Sequence, residues 1–118
     1  MTVQELYENL HGDFQEACKR LLNEKMVANF VLKFPTDPSM QQLRDAVAAS
    51  DIESSFRAIH TLKSVSGVLS LTQLYKVAWD LTEQLRPRLD QADQGLLELV
   101  EKEYALTVAA IKEFADSQ

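Results

Sequence analysis

One histidine in this sequence has the type and setting suited to nucleophilic chemistry. A neutral imidazole can attack phosphorus, and a neighbouring cation can offset charge on the group being transferred. Lys63 and Ser64 follow His60 by about one helical turn, and Gly67 follows by two. The pattern indicates a reactive imidazole at position 60, with Lys63 positioned to stabilise a phosphoryl group and small residues leaving room for a partner. Inside a helix Gly67 costs about 1 kcal/mol relative to Ala, so its presence suggests a specific use.

The helix that carries His60 is predicted to direct this side chain into solvent. At about 100° per residue, one apolar stripe collects Ala58, Ile59, Leu62, Val65 and Leu69. His60 points roughly the opposite way. Phe56, one turn earlier, is predicted either to pack on the N-terminal segments or to dock a partner, with Ile59 and Leu71 bordering that patch.

Helical periodicity and capping residues position this segment within an all-α chain. The first two predicted helices span about residues 2–11 and 14–34, the second with a possible break at 23–24. The third is capped by Ser39 or Asp37 and closed at residues 50–51, and the fourth spans about 52–69. The fifth follows Thr72 and ends at Pro87, and the sixth spans about 92–115. Gly12 is expected to end the first helix in a left-handed conformation, and Thr72 to cap the fifth. We expect one domain over residues 1–118: an up-down-up-down four-helix bundle at 38–118, with residues 1–37 as additional N-terminal helical segments.

Composition excludes several classes of function. Of the 118 residues 46% are hydrophobic and 25% charged, which describes a compact folded domain. The net charge of -6 repels nucleic acid, and no stretch approaches the roughly 18 apolar residues of a membrane span. Cys18 is the only cysteine, so no intrachain disulfide or thiolate cluster can form. We therefore expect a soluble cytoplasmic protein without nucleic-acid or membrane partners.

The motif around His60 resembles that of the histidine phosphotransfer (HPt) domain family. Residues 58–71 read AIHTLKSVSGVLSL and are followed by Leu74 and Leu81, close to the family pattern A-x-H-x-L-K-G-x-x-x-x-L-G-x-x-x-L. Residues 43–51, LRDAVAASD, look like the family's preceding helix and acidic turn, and the resemblance covers about residues 38–85. It implies that His60 is the phosphorylated residue, that Lys63 stabilises the phosphoryl group, and that the fold is a four-helix bundle.

Three positions depart from the family pattern. Ser64 and Ser70 stand where the family usually has glycine, and Thr82 stands where Glu or Gln often follows Leu81. Because a left-handed terminus is costlier for serine than for glycine, the helix before Ser70 is expected to end differently. A longer polar side chain at position 82 often orients the imidazole in this family, so Thr82 is a candidate partner-facing residue together with Phe56, Ser64 and Gly67.

The resemblance also implies partners and chemistry. The chain would relay phosphoryl groups between receiver-domain aspartates in a phosphorelay fed by a hybrid sensor histidine kinase. It would act as a monomer and hold no cofactor or metal of its own, whereas the receivers would need Mg²⁺. The chain contains no Gly-rich phosphate loop, so we expect neither ATP binding nor kinase activity. The alternatives are a non-catalytic helical adaptor that binds a response regulator or another helical partner and, more remotely, a metal-dependent helical enzyme.

The other polar and aromatic residues have simpler interpretations. Arg57 is expected to be solvated or to pair with Glu53, and the alternative is that it reaches a phosphate on His60. Trp79 and Tyr75 are expected to be packing residues with polar edges. His11, the second histidine, is expected to have a structural or neutral role at a helix end.

Overall fold

The computed structural model describes residues 1–118 and contains helices without any β-strand, which confirms the all-α prediction. The seven α-helices are α1 (Val3–Leu10), α2 (Phe14–Leu21), α3 (Glu24–Lys33), α4 (Ser39–Ala48), α5 (Ile52–Val68), α6 (Thr72–Leu85) and α7 (Gln94–Asp116). A 3-10 turn, Phe34–Thr36, links α3 to α4. None of these helices combines the length and apolar character needed to cross a bilayer.

The predicted segment 14–34 is broken at the expected point into α2 and α3. The Asn23 side chain accepts a hydrogen bond from the Met26 amide at 2.9 Å and so caps α3. Leu22, just before it, has φ 84° and ψ -55°, a conformation in which no α-helix can continue. The chain therefore turns between two short helices.

Helices α4 to α7 form a bundle in which α5 packs against α4 and α6, and α6 packs against α7. The N-terminal helices α1 and α3 cover α7. Ala58, Ile59 and Leu62 on α5 and Leu69 just after it are buried as predicted in one continuous apolar core, and the partly buried Val65 packs against that core. Truncating a fully buried leucine such as Leu62 to alanine typically costs about 2–5 kcal/mol, so this stripe fixes the rotation of α5 about its own axis.

Both ends of α5 are capped. At its start, the Asp51 side chain accepts from the Ser54 amide at 3.0 Å. At its end, the Leu71 amide bonds to the Ser66 carbonyl and the Ser70 amide to the Gly67 carbonyl, both at 3.0 Å, which is a Schellman motif. Ser70 takes the left-handed conformation with φ 53°, so the expectation that serine would make this helix end differently is wrong.

A second Schellman motif closes α1, and the residue that adopts the left-handed conformation there is His11, with φ 54°. The expectation that Gly12 would do so is wrong, since no glycine in the chain has a positive φ. Gly12 is needed for a different reason. A Cβ atom at this position would lie 2.9 Å from both the Ser70 carbonyl oxygen and the Tyr7 ring.

The N-terminal helices hold the end of α5 by hydrogen bonds to its backbone. The Tyr7 hydroxyl donates to the Leu69 carbonyl at 2.6 Å, and the Asp13 amide donates to the Ser70 carbonyl at 3.0 Å. Arg20 donates to the Gly67 carbonyl. The Tyr7 and Asp13 donors satisfy carbonyls that the end of a helix leaves without intrahelical partners, and Arg20 adds a second donor to the Gly67 carbonyl, which the Ser70 amide already bonds.

The starts of α6 and α7 differ from prediction by one and two residues, respectively. Thr72 is the first residue of α6, so it does not cap that helix, and the N-cap Leu71 contributes no side-chain hydrogen bond. Helix α7 begins at Gln94, after the Asp93 side chain accepts from the Leu96 amide at 2.9 Å. Helix α6 ends at Leu85, two residues before Pro87, as proline requires.

Candidate functional site

His60 lies in the middle of α5 with its side chain exposed to solvent, as the periodicity predicts. Its neighbours Ile59 and Leu62 are fully buried on the opposite side of the helix. Because those two side chains fix the rotation of α5, the imidazole is held at the surface by core packing and is free of bulky cover. A second protein can therefore approach it.

Phe56 contacts the His60 ring, with centroids 5.7 Å apart and planes tilted by 36°. However, Phe56 is only 7% exposed, because two arginines beyond the end of α6 cover it. The Arg88 guanidinium carbon lies 3.5 Å from the ring centroid and that of Arg86 lies 5.5 Å away. The predicted contact of Phe56 with a partner is thus not supported by this conformation, which leaves the ring covered.

Three arginines around this face are paired with glutamates. Arg86 lies 2.7 Å from Glu83, and Glu53 receives both Arg88 at 3.0 Å and Arg57 at 3.6 Å, the last as predicted. The hydrogen bond from Arg86 holds the pKa of Glu83 below its usual range, and the charge of Lys63 adds to this effect. The arginine charges near His60 are therefore largely balanced locally by carboxylates.

Lys63 differs from these arginines because an aromatic ring, and no carboxylate, is its close partner. Its ammonium nitrogen lies 4.9 Å from the ring centroid of Trp79 on α6, and it forms no salt bridge within 4.0 Å. Trp79 is 44% exposed, so the packing expected of it is only partial: its ring contacts Tyr75 and Lys63. The sequence interpretation missed both this contact and the arginine cover, since all these partners lie across the α5–α6 hairpin.

The two small residues after His60 have different surroundings. The exposed Ser64 hydroxyl donates to the His60 backbone carbonyl at 3.0 Å. At Gly67 a Cβ atom would lie 2.9 Å from the Tyr75 ring. The space that a glycine leaves there is filled by Tyr75 and not kept open for a partner, which corrects the expectation for Gly67.

Thr82 is fully buried, and its hydroxyl donates to the Ala78 carbonyl at 2.7 Å within α6. The expectation that Thr82 faces a partner is therefore wrong: its side chain does not reach the surface, and its hydroxyl proton is already used. A short hydroxyl side chain at this position bonds back to the carbonyl of its own helix.

Two open grooves meet at Ser64. One, of about 420 Å³, is mainly apolar and lies between α3 and α5, with Phe30 and Val68 on its walls. The other, of about 620 Å³, is more polar and is bordered by Glu16, Arg20 and Tyr75. The two grooves make the surface near His60 concave, and a docking protein could fill them.

The site contains an exposed imidazole, an ammonium group one turn away that has no ion pair within 4.0 Å, and no deep cavity beside them. No three or more His, Cys, Asp or Glu side chains are grouped so that they could hold a metal ion. The arrangement can accept an anionic electrophile such as a phosphoryl group presented by another molecule, because nucleophile and cation are both accessible.

Comparison with known protein families gives one match. The family model described as Hpt domain matches residues 25–113, which extends from α3 into α7 and includes the whole of α5 and α6. No curated protein and no solved structure matches the chain. The matched region leaves out α1 and α2, the helices that hold the end of α5.

Proposed function

Since this chain belongs to the Hpt domain family, we propose that it relays phosphoryl groups between receiver-domain aspartates through phospho-His60. The observation that carries the proposal is the exposed His60 imidazole on a helix whose opposite face is locked into the core. A buried histidine could not meet the aspartyl phosphate of another protein. The phosphorelay would operate in the cytoplasm, with a hybrid sensor histidine kinase and response regulators as partners.

In the proposed transfer, one nitrogen of the neutral imidazole attacks the phosphorus of a receiver's aspartyl phosphate. The N–P bond forms while the P–O bond breaks, and the bonding electron pair leaves with the aspartate carboxylate. The other ring nitrogen keeps its proton, so the product is a phosphoimidazolium. Lys63 would offset negative charge on the phosphoryl oxygens, and Mg²⁺ in the receiver would stabilise the carboxylate side. Transfer to a second receiver reverses these steps.

The test uses purified protein, a panel of ³²P-labelled phosphorylated receiver domains, and detection of acid-labile, base-stable label. His60→Ala should lose the label completely. His11→Asn is the matched control, since His11 is the only other histidine and asparagine tolerates its left-handed backbone. Lys63→Ala should label more slowly with its fold intact. Equal labelling of wild type and His60→Ala would overturn the assignment, and receiver binding without transfer would favour the non-catalytic adaptor.

A further inference from the structure

Of the four cationic side chains around the His60–Phe56 face, only Lys63 is held by a ring in place of a carboxylate. Arg57, Arg86 and Arg88 each lie within 4.0 Å of a glutamate oxygen. The ammonium of Lys63 lies instead 4.9 Å from the Trp79 ring centroid. An ion pair would have to break before the cation could serve an incoming anion, whereas an aromatic face attracts the cation without neutralising it.

The ring contact also leaves the donors of Lys63 available. An ammonium group has three N–H donors, and one directed at an aromatic face leaves the others free for phosphoryl oxygens. Without a restraint, the four-carbon stem of a lysine samples many rotamers, and fixing it at the moment of reaction carries an entropic cost. Trp79 restricts the stem beforehand, on the α6 side of His60.

Trp79 is itself supported by a series of contacts that explains the unusual Gly67. The absence of a side chain at Gly67 admits the Tyr75 ring, which would otherwise lie 2.9 Å from a Cβ atom. The Tyr75 ring then packs against Trp79, with centroids 6.2 Å apart. A glycine on α5 thus sets the position of an aromatic pair on α6, and the second member of that pair contacts Lys63.

From these contacts we infer that Trp79 is a positioning residue: it holds the Lys63 ammonium, still charged and with donors free, next to the phosphoryl group that His60 receives. The inference rests on the proposed function, because it assumes that His60 is the phosphorylated residue. Trp79 itself need not touch the phosphoryl group. Its contribution passes through Lys63 and disappears when Lys63 is absent.

The experiment measures the rate constant of His60 phosphorylation by phosphoramidate, a small donor that needs no receiver protein. Trp79→Leu should lower this rate constant about two- to fivefold, the size expected when an exposed cation–π contact is lost. Trp79→Phe keeps a weaker aromatic face and should give an intermediate rate. Because Trp79 is 44% exposed, both variants should fold, and circular dichroism with thermal melting verifies this.

A double-mutant cycle separates positioning from a general structural effect. If Trp79 acts through Lys63, adding Trp79→Leu to Lys63→Ala should leave the rate of the single Lys63→Ala variant unchanged. An equal loss in both backgrounds, or a Trp79→Leu rate equal to or above that of wild type, would overturn the inference. Failure of the proposed function looks different: His60→Ala would then load and transfer phosphoryl groups as wild type does.

Discussion

The middle of α5 and its C-terminal end are held by contacts of different kinds. The site segment, residues 56–64, carries His60 among exposed ion pairs and cation–π contacts. At the anchored end, residues 67–70, three backbone carbonyls accept hydrogen bonds from Tyr7, Asp13 and Arg20 of the N-terminal segments. Exposed ion pairs contribute at most about 1 kcal/mol each, whereas leaving a buried carbonyl unpaired costs about 1–3 kcal/mol.

The comparison teaches that the surface contacts around His60 and the contacts that hold α5 are separate, although both lie on a single helix. The exposed side chains of the site segment can change partners when a phosphoryl group arrives, because α5 is held by its buried stripe, which includes Ile59 and Leu62, and by the anchored end. The anchored end holds the helix axis, and α1 and α2, which supply most of its hydrogen bonds, lie outside the region matched by the Hpt family. Substitutions at the anchored end should therefore change stability while leaving phosphorylation of His60 largely unaffected.

The largest effect is expected for Gly12→Ala. The new Cβ atom would lie 2.9 Å from the Ser70 carbonyl oxygen, a backbone atom that cannot move without shifting the end of α5. We expect the free energy of unfolding to fall by about 1–3 kcal/mol, measured by urea denaturation. Gly95→Ala is the matched control, since only the Asp93 side chain lies near it, at 3.3 Å. If both variants unfold at the same urea concentration, Gly12 is not packed tightly against the Ser70 carbonyl at this end of α5.

A somewhat smaller effect is expected for Tyr7→Phe. This change removes the hydrogen bond to the Leu69 carbonyl and should lower the free energy of unfolding by about 1–2 kcal/mol. Tyr75→Phe is a suitable control, because the Tyr75 ring fills the space at Gly67 while its hydroxyl makes no hydrogen bond to the protein. Similar stabilities for the two variants would remove the Tyr7 hydroxyl from the anchored end.

The same substitution should alter stability at alkaline pH. Burial raises the pKa of Tyr7, with a smaller contribution from Cys18. In the unfolded chain the phenol releases its proton near pH 10, whereas the folded protein retains it. The stability linked to this proton is therefore present below about pH 10 and is lost as the pH rises further. Between pH 9 and 11, urea midpoints should accordingly fall more steeply in wild type than in Tyr7→Phe.

The smallest changes in stability are expected at Ser50 and Ser70, the two serines whose backbone is in the left-handed conformation. Ser50, with φ 55°, is exposed, and Ser50→Gly should raise the free energy of unfolding by about 0.5–1 kcal/mol by relieving backbone strain. Ser70→Gly should gain less, because the Ser70 hydroxyl donates to Glu16 at 2.8 Å. Thermal melting of the two variants provides the comparison. An equal gain at both positions would mean that the Glu16 hydrogen bond adds nothing to the anchored end.

Much of the bundle could be predicted because its signals are local. The stripe through Ile59 and Leu62 fixed which face of α5 is buried, and hence that His60 is exposed. Asp51 and Asn23 cap helices through hydrogen bonds to residues three positions later, so their function is visible in short stretches of sequence. The short connections between α4, α5 and α6 required neighbouring antiparallel helices.

The surroundings of the site could not be predicted in the same way, because they depend on which residues meet across two helices. Phe56 was recognised as a neighbour of His60, but its cover by Arg86 and Arg88 requires the register of the α5–α6 hairpin. Trp79 was interpreted as a packing residue for the same reason. A systematic pairing of α5 with α6 about their short connection would have indicated these partners.

The sequence by itself determined the all-α class, the helix that carries His60 and the direction in which that side chain points, since a period of 3.6 residues and nearby caps are properties of the local chain. Only the tertiary structure shows which neighbours require glycine at positions 12 and 67 and which ring the Lys63 ammonium contacts. Those answers depend on the Ser70 carbonyl and on the rings of Tyr75 and Trp79, which are brought close by packing between helices. Contacts of this kind depend on interhelical register, which periodicity does not encode.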